Sequence, residues 1–303
     1  MIGIVVVVYK SYERIVTYVR QELAKVTAPH RTVIVDVGSP RESSERIAQA
    51  LGVSVWEEGM APEGELFVLH ADENLGYARG NNLGVEFLMR LFPDIDKLLF
   101  SNDDIELISP NVVEVLADRM DADDSIGCIG PKVIDLQGNL QGPGYVPPSL
   151  RHKVLQNLGE PLLGAARFRQ DVGRERKSEL VNIVGGCFHL VRGDAFSRCG
   201  GFDPRTFLYW EEEIISARLR ELGLCVYFED SVAIRHFVGN TTSTSAPNLL
   251  LLQCELDGQR LYFKEYAKVS RMSYALLWLS GEIRLLLVRL AMLKRRLTMA
   301  KLI

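Results

Sequence analysis

Two clusters of acidic residues are the part of this 303-residue sequence best suited to chemistry. The first is the run Phe207–Glu213, in which three consecutive glutamates follow Phe, Leu, Tyr and Trp. The second is Ser101–Glu106, which directly follows the apolar run Leu98–Phe100. Partial burial of several carboxylates costs free energy unless a cation or a proton-transfer role offsets it. The two clusters therefore suggest one site that holds a metal ion and one that moves a proton.

Alternating strand and helix patterns must position these clusters. The sequence predicts strands at Ile2–Tyr9, Arg31–Asp36, Leu66–His70 and Lys97–Phe100. Helices are predicted at Tyr12–Ala24 and Glu42–Leu51. A glycine- and asparagine-rich loop is predicted over Asn74–Asn82, followed by a third helix that ends at Leu91. This alternation indicates right-handed parallel crossovers, and so an α/β fold with a central, mostly parallel mixed sheet flanked by helices. Ligands bind at the carboxyl ends of such strands, which is where Ser101–Glu106 begins.

The rest of the chain has a different character. The periodicity fades over Pro143–Glu179, which predicts a long mobile loop, and a helix is expected over Pro247–Lys268. Arg271–Leu293 is strongly apolar, could be broken at Ser280-Gly281, and precedes the basic run Lys294–Arg296. Three interpretations stay open for it: a core or dimer helix, a helix resting on anionic lipid, or a true membrane span. We expect one domain over residues 1–245 and a helical region over 246–303 that associates with a membrane or with a second copy.

Bulk composition narrows the class of protein. A formal net charge of -4 argues against a nucleic-acid binder, which would normally be basic. The five cysteines are scattered and odd in number, a pattern typical of reduced thiols rather than of disulfides or a zinc site. The N-terminus has no basic segment before its apolar run, so it is interpreted as a strand and not as a signal peptide. The expected location is the cytoplasm.

Seven short motifs follow one another along the chain. They are Tyr9-Lys-Ser11 after a strand, Val35-Asp36-x-Gly-Ser39, Asn74–Asn82, Asn102-Asp-Asp104, Gly185-Gly-Cys187, Gly200-Gly-Phe-Asp203 and Trp210-Glu-Glu212. In this order they resemble the family 2 glycosyltransferases with a GT-A fold, and most of all the bacterial rhamnosyltransferase-like members, over about residues 2–240. The resemblance implies an inverting, metal-dependent enzyme. Its donor would be a nucleoside-diphosphate sugar, dTDP-rhamnose or a UDP-sugar, and its acceptor a hydroxyl of a bacterial surface glycan or a lipid-linked glycan.

The resemblance also assigns roles to residues of the donor site. Asp104 ends the family's metal motif and His236 matches its late histidine, so both are expected to contact Mg²⁺ or Mn²⁺ or the diphosphate. Asn102 stands where the family often has Asp, and Asp103 is expected to point away from the metal. The donor-binding set is Tyr9, Ser11, Asp36, Gly76, Arg79, Asn82, Asn102, Asp103 and Gly186, with Asp36 on the pyrimidine ring and Arg79 on the diphosphate. The alternatives are an acidic surface turn, a structural histidine, and a helix N-cap at Asp36.

Glu212 aligns with the acid that similar enzymes use as general base, and Glu211 with a residue that contacts or orients the acceptor hydroxyl. Neighbouring acids and aromatic side chains are expected to raise the pKa of one carboxyl group, which suits a base. Ile214 replaces an acid that is common two positions after the base, and Arg218 could pair with the carboxylates. The alternative is a solvated helix start stabilised by the helix dipole.

Two other classes of protein remain open at this stage. The departures at Asn102 and Ile214 would also fit a non-catalytic module that binds a nucleotide-sugar or a glycan. A nucleotidyltransferase on a related sheet would need a basic loop for a triphosphate, and the sequence contains none. An enzyme that builds glycans on lipid carriers would be expected at the inner face of the cytoplasmic membrane.

Overall fold

The computed structural model describes residues 1–164, 167, 177–237 and 248–300, with the backbone alone from residue 295. Within these residues the centre of the molecule is a mixed sheet with the strand order β3-β2-β1-β4-β8-β6-β9-β5, and β7 also pairs with β9. The strands are β1 (Ile2–Val8), β2 (His30–Val37), β3 (Leu66–Ala71), β4 (Lys97–Ser101), β5 (Ile105–Leu107), β6 (Ile126–Ile134), β7 (Glu179–Val181), β8 (Phe188–Arg192) and β9 (Cys225–His236).

The first half of the sheet is parallel, as the sequence predicts. β1 lies between β2 and β4, and β3 extends the same parallel order beyond β2. The second half is mixed, because β8 runs antiparallel to both β4 and β6 while β9 runs parallel to β6. Strands such as β1 are buried on both faces, which explains their continuous runs of branched apolar residues.

Helices cover both faces of the sheet. They are α1 (Tyr12–Gln21), α2 (Arg41–Leu51), α3 (Gly76–Leu91), α4 (Val112–Asp121), α5 (Leu150–Leu163), α6 (Gly193–Arg198), α7 (Glu211–Glu221), α8 (Leu249–Leu261) and α9 (Arg271–Ala300). A 3-10 turn spans Leu23–Lys25, and a π-helical segment spans Tyr262–Tyr266. The mixed α/β architecture predicted from the sequence is confirmed.

The loop predicted over Asn74–Asn82 is wrong for most of its length, because α3 already begins at Gly76. The glycines Gly80 and Gly84 of α3 allow close packing and do not make the chain flexible. A Cβ on Gly84 would lie 2.5 Å from a methyl group of Val5, and one on Gly80 would lie 2.8 Å from a methyl group of Val7. Glycine therefore lets α3 approach the strands, at the cost of a weaker helix signal in the sequence.

The loop predicted over Pro143–Glu179 is also wrong over residues 150–163, which form α5. Ser149 caps this helix by accepting a hydrogen bond from the backbone N–H of His152. The side of α5 that faces the protein carries polar groups, since buried Asn157 donates to Gln259 and Ser280. Four of its leucines are exposed (Leu155, Leu158, Leu162 and Leu163), so the usual apolar periodicity is weak. The described part of this stretch is otherwise irregular, and most of the mixed-charge run 167–177 lies outside the described residues.

The last helix is continuous across the break expected at Ser280-Gly281. Ser280 is buried, and a Cβ on Gly281 would lie 3.1 Å from the guanidinium of Arg260, so both residues permit close packing of α9. Arg284 is buried as well and pairs with Glu160 of α5 and Glu255 of α8. In the part of the chain that the structure describes, no helix combines the length and apolar character needed to cross a bilayer. The membrane-span interpretation is therefore wrong for α9, and the boundary at residue 245 stays a prediction.

Candidate functional site

The predicted chemistry-bearing residues meet at one edge of the sheet. Val8 of β1 is paired with Asp36 of β2, so the segments that follow these strands begin side by side. On the other side of β4, the backbone N–H of Asn102 donates to the carbonyl of Cys187 at 2.8 Å. The Gly185–Cys187 segment is thereby placed beside the Asn102–Asp104 motif.

Asp104 and His236 lie next to each other at this edge. The backbone N–H of Phe237 donates to the Asp104 carbonyl at 2.9 Å, which aligns the end of β9 with the acidic motif. His236 Nε2 is 3.3 Å from Asp104 Oδ1, and His236 Nδ1 is 3.1 Å from Gln141 Oε1. Burial lowers the pKa of His236, but contacts with Asp104 and Cys187 outweigh it and raise that pKa to about 10.

Two adjoining cavities contain these residues. The central cavity, of about 330 Å³, is lined by Tyr77, Asn102, Asp104, Val133, Gln141, Gly185, Gly186, Cys187, Leu208, Tyr209, Glu211, Glu212 and His236. The strand-end cavity, of about 340 Å³, is lined by Val7, Val8, Tyr9, Arg14, Val37, Asn74, Gly76, Tyr77, Asn102, Asp103, Asp104, Phe207, Leu208, Leu250 and Leu251. Tyr77, Asn102, Asp104 and Leu208 line both. The central cavity is rich in carboxyl groups, whereas the strand-end cavity is mainly apolar.

A strained turn delivers the glutamates to the central cavity. Tyr209 and Trp210 both have left-handed backbones, with φ of 75° and 74°, and α7 begins at the next residue. Such conformations cost about 1–3 kcal/mol each in residues other than glycine, and they persist only where surrounding contacts enforce them. Trp210 is buried against Ile214, Tyr262 and other apolar side chains that tie the turn to the C-terminal helices.

Burial raises the pKa values of the three glutamates above the ordinary value of 4.5. The pKa of Glu211 rises to about 8 and that of Glu213 to about 7, first because of burial and then because of repulsion from Glu212. Burial also raises the pKa of Glu212. The interpretation of this segment as a solvated helix start is therefore disfavoured, since a solvated carboxylate at a helix N-terminus would keep a low pKa.

These pKa values predict opposite effects of pH on activity and on stability. A general base must be ionised, and burial raises the pKa of Glu212, so we expect turnover to rise with pH at values above 4.5. Stability should change in the other direction: a raised carboxyl pKa contributes stability that is complete below pH 4.5 and is lost as pH rises through the folded pKa values. Turnover and melting temperature measured from about pH 5 to about pH 9 check both slopes. A turnover midpoint near pH 4.5 would contradict the prediction.

Glycine at position 186 leaves room for the Glu212 carboxylate. A Cβ there would lie 1.7 Å from Glu212 Oε1 and 2.5 Å from its Cδ. In Gly186→Ala the carboxylate must move, and we expect turnover to fall about 100-fold while the melting temperature changes little. Gly185→Ala is the matched control, since its nearest contact is the Val133 methyl group at 3.2 Å. Equal losses in the two variants would show that the effect does not come from Glu212.

Several predicted site residues have other partners and line neither cavity. Asp36 is buried and accepts hydrogen bonds from Ser39 and Ser44. Ser11 donates to Asp103. Asn82 holds the backbone of Phe202 through two hydrogen bonds of 2.8 and 3.0 Å.

The structure also places Arg79, Asp103 and Arg218. Arg79 lies on α3, is exposed, and has a carboxylate of Glu73 3.9 Å away. Asp103 pairs with Arg14 at 2.9 Å and borders the strand-end cavity, and the donor-binding roles of Arg79 and Asp103 stay predictions. The proposed pairing of Arg218 with the glutamates is wrong: its guanidinium contacts Asp203 at 3.3 Å and the Gly201 carbonyl at 2.6 Å.

Two other lining residues were not assigned a role from the sequence. The Tyr77 hydroxyl donates to the Gly186 carbonyl at 2.8 Å and borders both cavities. Gln141 reaches His236 from an irregular segment after β6. Tyr77 lies within the Asn74–Asn82 motif, which could have indicated it, whereas nothing in the sequence indicated Gln141.

Asp104 and His236 could bind a divalent cation only if a bound ligand supplied the remaining coordinating atoms. Among the described residues, no group of three or more His, Cys, Asp or Glu side chains could hold a metal ion without further ligands. Asp104 Oδ1 is nevertheless buried without a hydrogen-bond donor, since its 3.3 Å approach to His236 is not well directed. The Asp104 carboxylate and the His236 imidazole, which would have to release its proton when a cation binds, can supply part of a coordination shell, and phosphate oxygens of a bound ligand would have to complete it.

Comparison with known proteins agrees with the geometry. No family model matches the chain. It is 27% identical over 193 residues to N-acetylglucosaminyl-diphospho-decaprenol L-rhamnosyltransferase of Mycobacterium tuberculosis, in strains CDC 1551 / Oshkosh and ATCC 25618 / H37Rv. The match covers 60% of this chain and 62% of the relatives' length.

Solved structures with the same fold were also found. GalNAc-T7 with UDP, GalNAc and Mn²⁺ has a TM-score of 0.57 at 16% identity, covering 88% of this chain and 49% of that one. The mannosyltransferase PcManGT from Pyrobaculum calidifontis, with GDP-Man and Mn²⁺, has a TM-score of 0.56 at 12% identity, covering 96% and 73%. The chain therefore has the GT-A fold. Its sequence is similar to that of a rhamnosyltransferase, which agrees with the resemblance that the order of its motifs indicates.

Proposed function

We propose that the protein transfers a sugar from a nucleoside-diphosphate donor to an acceptor hydroxyl with inversion of the anomeric centre. The observation that carries the proposal is the central cavity, in which Glu212 shares one enclosure with Asn102, Asp104 and His236. The donor would be dTDP-rhamnose or a UDP-sugar. Its nucleobase would lie in the apolar strand-end cavity and its sugar in the central cavity. The acceptor would be a growing surface glycan or a lipid-linked glycan, which accords with the relative named for a decaprenol-linked substrate.

In this mechanism Glu212 removes the proton of the acceptor hydroxyl as its oxygen attacks the anomeric carbon. The bond from that carbon to the diphosphate breaks in the same step, and the nucleoside diphosphate leaves with the bonding electrons. Glu211 orients the attacking hydroxyl, and Tyr77 fixes the Gly186 backbone beside the base. A divalent cation held by Asp104 and His236 would offset the charge that develops on the leaving phosphate.

Incubation with a panel of donors and either Mg²⁺ or Mn²⁺ tests the proposed function. Release of free nucleoside diphosphate, by transfer or by slow hydrolysis, supports the proposed function and identifies the nucleobase and the sugar of the donor. Donor binding without turnover, across a broad set of acceptors, would instead support a non-catalytic binding module.

We further propose that α9 rests on the inner face of the cytoplasmic membrane. Its buried side, which includes Leu277 and Arg284, packs on the protein. Exposed apolar side chains follow the opposite side at helical spacing: Met272, Leu276, Leu279, Leu286, Leu290 and Leu293. Trp278 is also half exposed and, with Tyr274, could sit at headgroup depth, with the basic run from Lys294 against anionic lipid.

Replacing Leu276, Leu279 and Leu286 by Gln should abolish cosedimentation with phosphatidylglycerol vesicles at low salt, because it removes the exposed apolar stripe. These substitutions spare the buried face, unlike deletion of residues 270–303, which would uncover the protein's own core. Leu136→Gln, at an equally exposed leucine far along the chain, should bind like the unmodified protein. If the unmodified protein ignores vesicles and the triple variant converts a dimer into a monomer, the stripe is a homo-oligomer interface and the membrane proposal fails.

A further inference from the structure

A second large cavity borders the general base from the side of the helices. This helical cleft, of about 590 Å³, lies among α5, α7, α8 and α9. Glu212 and Tyr209 line both the helical cleft and the central cavity. The side chain assigned as base therefore stands in a wall between two cavities, of which only one contains Asp104 and His236.

We propose that the helical cleft is the acceptor subsite and that it selects an uncharged sugar ring, with Lys153 and Glu213 as its specificity-determining residues. The proposal rests on the proposed function. Transfer with inversion requires the acceptor hydroxyl to approach the anomeric carbon from the face opposite the leaving diphosphate, with the base within reach of its proton. The cleft offers a way to Glu212 that does not pass through the central cavity.

The charges of the cleft favour an uncharged acceptor. Its lining includes the carboxyl groups of Glu160, Glu212, Glu213 and Glu255, against the two cations Lys153 and Arg284. Arg284 is already engaged by Glu160 at 2.8 Å and by Glu255 at 3.1 Å. At pH values where Glu212 and Glu213 are ionised, a phosphate or a sugar carboxylate inside the cleft would face an excess of like charge, which opposes binding.

Lys153 and Glu213 are placed to bind sugar hydroxyls from two walls. Lys153 of α5 forms no ion pair with a carboxylate among the described residues; its Nζ donates to Gln156 Oε1 at 3.1 Å and lies 5.2 Å from the Trp210 ring centroid. Glu213 lies in the first turn of α7. An ammonium donates and a carboxyl oxygen accepts, so together they can bind neighbouring hydroxyls. Leu251, Leu252 and Val288 supply apolar surface for the carbon face of the ring.

The cleft also opens among exposed apolar residues. Pro161 lines it, and the next two residues of α5, Leu162 and Leu163, are 73% and 55% exposed. A sugar carried on a lipid could therefore enter while its lipid remained on this apolar surface, next to the proposed membrane-facing side of α9. The phosphate groups of such a carrier would stay outside the acidic interior.

Kinetics with octyl glycosides of glucose, galactose, N-acetylglucosamine and glucuronic acid test the assignment. We expect the neutral glycosides to be used and the glucuronide to be rejected. Lys153→Met and Glu213→Gln should each raise the acceptor KM about 10- to 100-fold, with a donor KM within about twofold, because each loses a hydrogen bond to a charged group. Lys264→Met and Glu221→Gln are matched controls at exposed positions. A glucuronide used as well as glucose, or an unchanged acceptor KM, would overturn the proposal.

Binding provides a measurement that does not depend on turnover. Saturation-transfer NMR should detect the neutral glycosides on the full chain, and Leu252→Trp, which fills the cleft, should abolish their signals. Absence of neutral glycoside binding, or signals that survive Leu252→Trp, would overturn the acceptor subsite. If no donor is consumed but Leu252-dependent binding is found, the proposed reaction fails and the saccharide site stands.

Discussion

Glu212→Gln is expected to lower turnover about 10²- to 10⁴-fold, the usual contribution of a positioned general base. Glutamine keeps the size and shape of the side chain but cannot accept the proton of the attacking hydroxyl. Donor affinity should stay nearly constant, because the substitution leaves Asn102, Asp104 and His236, which line the same cavity, unchanged. Transfer rates and calorimetric donor binding, measured on the same preparation, separate the two effects.

The same variant makes a second prediction about stability. Removing one of three neighbouring carboxyl groups with raised pKa values should raise the melting temperature near pH 8, where their ionisation opposes folding. Glu221→Gln, at the exposed end of α7, is the control and should change neither turnover nor the melting temperature appreciably. A Glu212→Gln enzyme with full transfer activity would show that the base assignment is wrong.

The sheet could be predicted from the sequence because its strands are buried on both faces. β1 consists of apolar residues and β4 has the apolar centre Leu98–Phe100, and polar motifs follow directly at their carboxyl ends. The first part of α3 and the whole of α5, which were predicted as loops, follow a different physical rule. In α3 glycine provides close contact with the sheet, and in α5 buried Asn157 and partly exposed Glu160 bind partners from α8 and α9. Apolar periodicity is a weak signal for a helix whose inner face carries such polar groups.

Only those residues of the site that lie in recognised sequence motifs could be predicted from the sequence. Asp104, His236 and Glu212 lie in segments with a recognisable order, and they do line one cavity. The helical cleft involves Lys153 and Arg284, which are separated by more than a hundred positions and approach only after α5 and α9 pack together. Ile214 illustrates the same limit, since its departure from the family pattern reflects burial against Trp210 and Tyr262 of the C-terminal cluster.

Asp104→Ala is expected to lower turnover by at least about 10³-fold, because a cation at this position would offset several kcal/mol of developing charge on the leaving phosphate. The fold should survive, since the Asp104 contact with Phe237 uses the backbone carbonyl and not the side chain. The variant should also lose the dependence of donor affinity on Mn²⁺, which calorimetric titration in Mn²⁺ and in EDTA measures.

The unmodified protein should lose turnover in EDTA and regain it with excess Mn²⁺ or Mg²⁺. Asp94→Ala, at an exposed aspartate on the loop before β4, is the matched control and should respond to the metal as the unmodified protein does. Asp104→Asn separates charge from shape: an amide oxygen is a weaker ligand than a carboxylate, so we expect partial recovery at high Mn²⁺. Turnover that persists both in EDTA and in Asp104→Ala would contradict a metal-dependent mechanism. Hydrogen-bond donors of the protein would then have to stabilise the charge of the leaving diphosphate.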